Sequence, residues 1–257
     1  MRSQFTGLRT IASIALAVIS TALAGCANQA QLAQASEQQF AQMREELKVS
    51  TDASDRAYVQ CIADALIAQL DEPYASFDWD LELFQEDQIN AFAMPGGKIG
   101  VYTGLFKAAQ TPDQLAAVMG HEIAHVTRGH SMKRANSSQA ANIGILVGAI
   151  ASETVRQNAG LLVLGAQLGL LLPYGRYQES EADIVGLDYM AKAGFDPEAS
   201  VQLWRNMSAE KDGSMPEFLS THPSDDRRIR DLEAEIESVR PYFEQARAAG
   251  RRPNCRR

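Results

Sequence analysis

His121, Glu122 and His125 stand as H-E-x-x-H within Val118-Met119-Gly120-His121-Glu122-Ile123-Ala124-His125-Val126. On an α-helix, residues four apart differ by about 40° around the axis, so His121 and His125 project from one face and can grip a single metal ion. Two imidazoles leave coordination positions open for a third ligand and a water. Glu122 beside them is a carboxylate able to take a proton from that water, so these residue types at this spacing point to hydrolysis by a zinc-activated water. The chain has only four histidines, which makes a chance occurrence of the pattern a weak competitor.

The chemistry requires a helix here, and the flanking residues provide one. Thr111 can cap, Pro112 is pre-set for the first helical position, and Gln114 holds the capping-box position. Leu115, Val118, Met119, Ile123 and Val126 recur at roughly helical spacing, so the helix is expected from Pro112 to about Arg128, ending near Gly129.

A third ligand must come from elsewhere. A metzincin would place Gly and His three and six residues after His125, but those positions hold Arg128 and Ser131. His130 is out of phase; on a continuing helix it would point away from the His121/His125 face and is expected at the surface near the helix end. The alternative is E-x-x-x-D on a separate helix, which Glu179-Ser180-Glu181-Ala182-Asp183 supplies. Glu179 and Asp183 share a face one turn apart, so Glu179 can ligate zinc while Asp183 accepts a hydrogen bond from a ligand imidazole. Glu181 lies about 200° from Glu179 around such a helix and is expected to face away from the metal.

The elements around this helix follow from periodicity. Asn28 to Ser36 reads as a short tether entering a polar helix that reaches about Lys48, and a second helix spans about Ser54 to Leu70. Phe77 to Leu83 alternates apolar and acidic residues, as a half-buried strand does; Asn90–Met94 and Lys98–Tyr102 read as two further strands around Pro95-Gly96-Gly97. The last of these is either an exposed edge open to an added peptide strand or part of an ordinary hairpin. From Ala141 to Leu172 the chain is apolar but interrupted by Glu153, Arg156, Gln157 and Asn158, and neither half reaches a membrane span. Two helices are expected there, packed over the active-site region or with one dipping into a membrane leaflet. Helices at about Arg176–Lys192, Pro197–Ala209 and beyond Pro223 complete an α+β architecture, mainly helical, with a small antiparallel or mixed sheet before the H-E-x-x-H helix.

Residues 1–25 read as a targeting segment. Arg2 and Arg9 flank the start, and the uncharged run Ile11–Ala24 covers 14 residues, short of the roughly 20 a spanning helix needs. The run ends in Leu23-Ala24-Gly25-Cys26, which resembles a bacterial lipobox. That resemblance implies cleavage before Cys26, lipidation of Cys26, and anchoring in the outer membrane facing the periplasm. Residues 26–50 are then lipidated Cys, tether and N-terminal helix, and 51–257 the catalytic domain. Without residues 1–25 the chain carries 22 basic and 32 acidic residues, a net charge of −10, which speaks against a nucleic-acid partner. Cys61 and Cys255 remain, either as a disulfide in an oxidising compartment or as two separate thiols.

Taken together, Asn90-Ala91-Phe92-Ala93-Met94-Pro95-Gly96-Gly97, His121 to His125, Tyr174 to Asp183 and Ser220-Thr221-His222-Pro223 followed by Arg228-Ile229 resemble the gluzincin-type peptidases. That group includes the CAAX prenyl protease, the heat-shock membrane protease HtpX, the mitochondrial Oma protease and periplasmic lipoprotein proteases. Gly175 departs from the usual Ser at its position, and the absence of clear transmembrane helices makes the chain similar to the soluble periplasmic branch. The resemblance implies one zinc per chain, held by His121, His125 and Glu179, with Glu122 as general base. It implies that His222 or Arg228 stabilises the oxyanion, His222 alternatively acting as a latch. Misfolded or unassembled envelope proteins would be the substrates; the alternative is a chaperone-like assembly factor with latent or absent proteolysis.

Overall fold

The computed structural model describes residues 28–166, 172–209, 217–222 and 226–257. The targeting segment, Cys26 and Pro223 lie outside them. In chain order the elements are α1 (Gln29–Glu46), α2 (Ala53–Ile67), β1 (Asp80–Phe84), β2 (Ala91–Met94), β3 (Lys98–Tyr102), α3 (Pro112–Thr127), α4 (His130–Ala151), α5 (Glu153–Gln157), α6 (Ala159–Ala166), α7 (Leu172–Ala193), α8 (Glu198–Ala209), α9 (Glu217–Thr221) and α10 (Asp226–Ala248). The fold is α+β and mainly helical, with a three-stranded mixed sheet ahead of α3. The expected tether is part of α1, and the apolar region holds three helices, α4 to α6, where two were expected.

Two compact units divide the chain: residues 32–131 with 176–257, and residues up to 31 with 132–175. The second unit presents large apolar side chains to its surroundings, with Leu146 52%, Ile150 54% and Leu161 69% exposed. Among the described residues no helix is long and apolar enough to cross a membrane.

In the first unit α3 is the central element. Thr111 Oγ1 accepts from Gln114 N at 3.2 Å and Pro112 occupies the first turn, so the helix starts where its capping residues place it. It ends because Gly129 adopts φ +64°, a left-handed conformation that glycine takes without a Cβ penalty. Between these ends α3 is buried from Gln114 to Val126. It packs on α2, β2 and α8, with Leu115, Val118, Met119 and Ile123 in the apolar core.

The sheet order is β1-β3-β2, with β1 parallel and β2 antiparallel to β3. β3 is therefore the middle strand and not an edge, because β1 arrives from across the fold to pair with it. The open edge is β2, since Val49 bridges to Phe84 on the far side of β1. Nor is the acidic face of β1 left to water. Arg44 of α1 meets Asp80 and Glu82, the latter at 3.0 Å, and Arg56 of α2 reaches Glu82 at 2.7 Å. Phe40 of α1 stands edge-on to Phe84 at 6.1 Å, completing the cover over that face. Cys61 of α2 and Cys255 form a disulfide that ties the carboxyl tail to the core.

α3 and α7 approach so closely that their backbones touch at two glycines. A Cβ on Gly120 would lie 2.9 Å from the Gly186 carbonyl oxygen, and one on Gly186 would lie 2.7 Å from His121 N and 2.8 Å from Gly120 C. These obstacles are backbone atoms, which a side-chain rotation cannot clear. Helix propensity alone predicts that Gly186→Ala stabilises α7 by up to about 1 kcal/mol. Packing predicts the opposite sign, a loss of about 1–3 kcal/mol as the helices are forced apart. Urea unfolding of the variant reads that sign directly.

Candidate metal centre

The glycine contact brings the H-E-x-x-H face of α3 against the E-x-x-x-D face of α7. Nε2 of His121 and Nε2 of His125 are 3.0 Å apart, and Glu179 of α7 places Oε2 at 3.4 Å from the first and Oε1 at 3.5 Å from the second. His222, just beyond α9, adds Nδ1 at 3.2 Å from His121 Nε2 and 2.9 Å from Glu179 Oε2. All four residues are buried, with one donor atom from each lying within 4.8 Å of the others.

This set fits a metal ion. Imidazole nitrogens and a carboxylate oxygen at 2.0–2.1 Å from a tetrahedral zinc stand about 3.3 Å from one another. The donor separations of 2.9 to 3.5 Å bracket that value. Such a concentration of inward-facing polar atoms in an apolar core is unfavourable unless each atom is paired or coordinated.

Hydrogen bonds orient the imidazoles of the cluster. Asp183, one turn after Glu179, lies 2.9 Å from His121 Nδ1; a carboxylate only accepts, so Nδ1 carries a proton and the ring turns Nε2 toward the cluster. Arg228 of α10 donates to Asp183 through Nε at 2.7 Å and Nη2 at 2.8 Å. It also donates to the His222 carbonyl at 3.3 Å, lies 3.4 Å from Glu179 Oε2, and stacks over Trp204 at 4.1 Å. Arg228 thus braces three residues of the centre from behind.

Glu122 flanks the histidine face of α3, with Oε1 3.3 Å from His222 Nε2. Its Oε2 accepts from the Ala93 backbone N–H of β2 at 3.1 Å. Among the described residues its buried Oε1 makes no hydrogen bond, although His222 Nε2 stands that near. One carboxylate oxygen is anchored by the sheet, and the other is left facing the site.

His130 corrects the surface assignment. It is fully buried, with Nδ1 2.8 Å from His125 Nδ1 and Nε2 3.0 Å from Glu181 Oε2. The helical-phase argument fails because α3 stops at Gly129 and His130 opens a new helix in a new direction. A glycine immediately before a histidine was the available signal. Glu181 stays outside the four-residue cluster, turned toward His130 and Arg128.

Electrostatics follow the pairing. Burial disfavours charge on His121, but the hydrogen bonds that it donates to the Asp183 and Glu179 carboxylates prevail and raise its pKa to about 9. Burial, reinforced by the neighbouring His121, outweighs Glu179 and lowers that of His125 to about 3. Burial would raise Glu179 and Asp183, yet the imidazoles around the first, and Arg228 with His121 beside the second, hold both below the usual carboxylate range. A depressed carboxylate contributes stability above its unfolded pKa near 4, and that contribution is lost as pH falls through the lower folded value. Arg228→Ala strands the Asp183 charge, so a loss of about 3–5 kcal/mol is expected at pH 7 in the metal-free protein. The deficit should shrink at pH 5, where the stranded carboxyl takes up a proton. Denaturant unfolding at the two pH values checks both magnitude and sign.

The sequence comparisons agree with this centre. The model of peptidase family M48 matches residues 53–236. The mitochondrial metalloendopeptidase OMA1 of Schizosaccharomyces pombe is 38% identical over 157 residues, covering 60% of this chain and 46% of that protein. A putative beta-barrel assembly-enhancing protease of Vibrio cholerae is 32% identical over 198 residues, covering 74% of this chain and 40% of that protein. The human mitochondrial OMA1 is 32% identical over 204 residues, covering 75% and 39%. The chain spans less than half the length of each of these relatives. With the matched region running from the start of α2 into α10, through every element that places a side chain in the centre, the chain belongs to peptidase family M48.

Proposed function

We propose that the chain is a zinc-dependent endopeptidase of the bacterial cell envelope that cleaves unfolded or unassembled envelope proteins. The observation that carries the reading is Glu122, anchored through one oxygen by Ala93 N–H while the other, buried and without a hydrogen bond, stands beside the His121, His125 and Glu179 donors. Zinc held by those three residues would supply a water of lowered pKa and polarise the scissile carbonyl. Glu122 would be the general base toward that water and would return the proton to the leaving amine. Asp183 and Arg228 hold His121 and Glu179 in place throughout. Substrate access is supported by β2, the open sheet edge, whose Ala93 touches Glu122, so that an extended peptide added to β2 runs past the base.

His222 gives the site a second state. With His222 Nδ1 among the donor atoms of the cluster, His222 could serve as a fourth ligand to a bound zinc and so act as a latch that keeps water from the metal. Off the metal, the same imidazole could instead stabilise the oxyanion. This latched arrangement supports the alternative of an assembly factor whose proteolysis is latent. The envelope assignment is supported by the name of the Vibrio cholerae relative and by the lipobox-like segment, from which we infer a lipid anchor at Cys26.

Glu122→Gln should retain stoichiometric zinc and lose hydrolysis of an unfolded model protein by several orders of magnitude; undiminished cleavage contradicts the mechanism. Expressed in the periplasm, the same variant should trap substrates on the enzyme. For the anchor, Cys26→Ser should fail to incorporate labelled fatty acid, and a variant that remains labelled refutes the lipidation site.

A further inference from the structure

His121 is oriented by Asp183, but no carboxylate touches His125 Nδ1 among the described contacts. What meets it is a third imidazole, His130 Nδ1, at 2.8 Å, and behind that ring Glu181 Oε2 lies 3.0 Å from His130 Nε2. We propose that His130 and Glu181 form a relay that fixes the tautomer and ring orientation of His125, making His130 a positioning residue of the metal centre. The proposal rests on the zinc reading above.

The hydrogen bonds admit one assignment. A contact between two Nδ1 atoms needs one donor and one acceptor. For His125 to offer its Nε2 lone pair to the metal as a neutral imidazole, its proton must sit on Nδ1, and Nδ1 therefore donates. His130 Nδ1 must accept, which puts the His130 proton on Nε2. That proton points at Glu181, and a carboxylate can only accept. The chain of constraints runs from the metal face of His125 to Glu181 without a mismatch.

The fold builds this arrangement deliberately. Gly129 at φ +64° turns the backbone so that His130, the first residue of α4, folds back until its ring stands at 73° to His125 with centroids 4.8 Å apart. His130 is fully buried, and Gln178 of α7 donates to its carbonyl at 3.4 Å. Arg128 fixes the far end by donating to Glu181 Oε1 at 2.8 Å. α7 consequently serves both ligand histidines of α3: Asp183 directs His121, and Glu181, on its other flank, directs His125 through His130. A carboxylate that faces away from the metal is thereby coupled to it.

The test is zinc affinity of the full chain, measured by competition with a chromophoric chelator and accompanied by thermal unfolding. His130→Ala should loosen zinc by about 10- to 100-fold and Glu181→Gln by roughly tenfold, the range seen when the partner of a ligand histidine is removed. Adding Glu181→Gln to His130→Ala should cause no further loss, because the relay is already cut. His130→Asn keeps an acceptor near the Nδ1 position and should recover part of the affinity, which a purely structural role for the ring does not predict. Wild-type affinity in His130→Ala and Glu181→Gln, or losses that add, overturns the relay, while loss of zinc in His121→Ala shows that the metal reading still stands. A wild-type chain that binds no zinc overturns both. Should His130→Ala fail to fold, Glu181→Gln decides alone, since that side chain is 13% exposed and leaves the core intact.

Discussion

Everything at the centre depends on how closely α3 and α7 pack at Gly120 and Gly186. A helix pair separated by ordinary side chains sits 8–10 Å apart, too far for short carboxylates on one helix to meet imidazoles on the other at 3 to 3.5 Å. With no Cβ at either crossing residue, the backbones touch, and the faces carrying His121 and His125 and carrying Glu179 and Asp183 close on one another. The same approach brings Glu181 within reach of His130. A glycine before His121 and another three residues after Asp183 are thus as much part of the site as its ligands.

The second constraint is charge. Glu122, Glu179 and Asp183 are nearly buried together, which would be prohibitive without compensation. Arg228 supplies a permanent cation whose planar fork matches Asp183, and its stacking over Trp204 holds that fork in place. His121, held toward its charged form by Asp183 and Glu179, adds a second. Glu122 differs, because Oε2 is anchored by a backbone N–H while Oε1 makes no hydrogen bond among the described residues. The three carboxylates thus differ in their partners, Glu179 and Asp183 facing imidazoles and Arg228, Glu122 a backbone N–H.

Much of this was legible because it is local. The spacing of His121, Glu122 and His125, the cap at Thr111 and Pro112, and the one-turn separation of Glu179 and Asp183 are properties of single helices, and helical geometry converts them into faces. What escaped was what depends on a chain reversal or a distant partner. His130 was misplaced because helical phase was carried across Gly129, where the helix ends. The order β1-β3-β2 was hidden because the parallel pairing of β1 with β3 is long-range. The acidic residues of β1 read as solvent-facing, yet Arg44 and Arg56 cover them from helices far away in sequence. Cys61 and Cys255 could be paired by elimination, but only the fold decides between a bridge and two thiols.

The central claim is that His121, His125 and Glu179 hold one zinc ion. A crystal structure of the zinc-loaded protein, with anomalous data collected on both sides of the zinc edge, tests it most directly. The account predicts one anomalous peak per chain at about 2.0–2.2 Å from Nε2 of His121, Nε2 of His125 and a carboxylate oxygen of Glu179. A peak bound by Glu181 in place of Glu179, or no peak at this cluster in active protein, would contradict it.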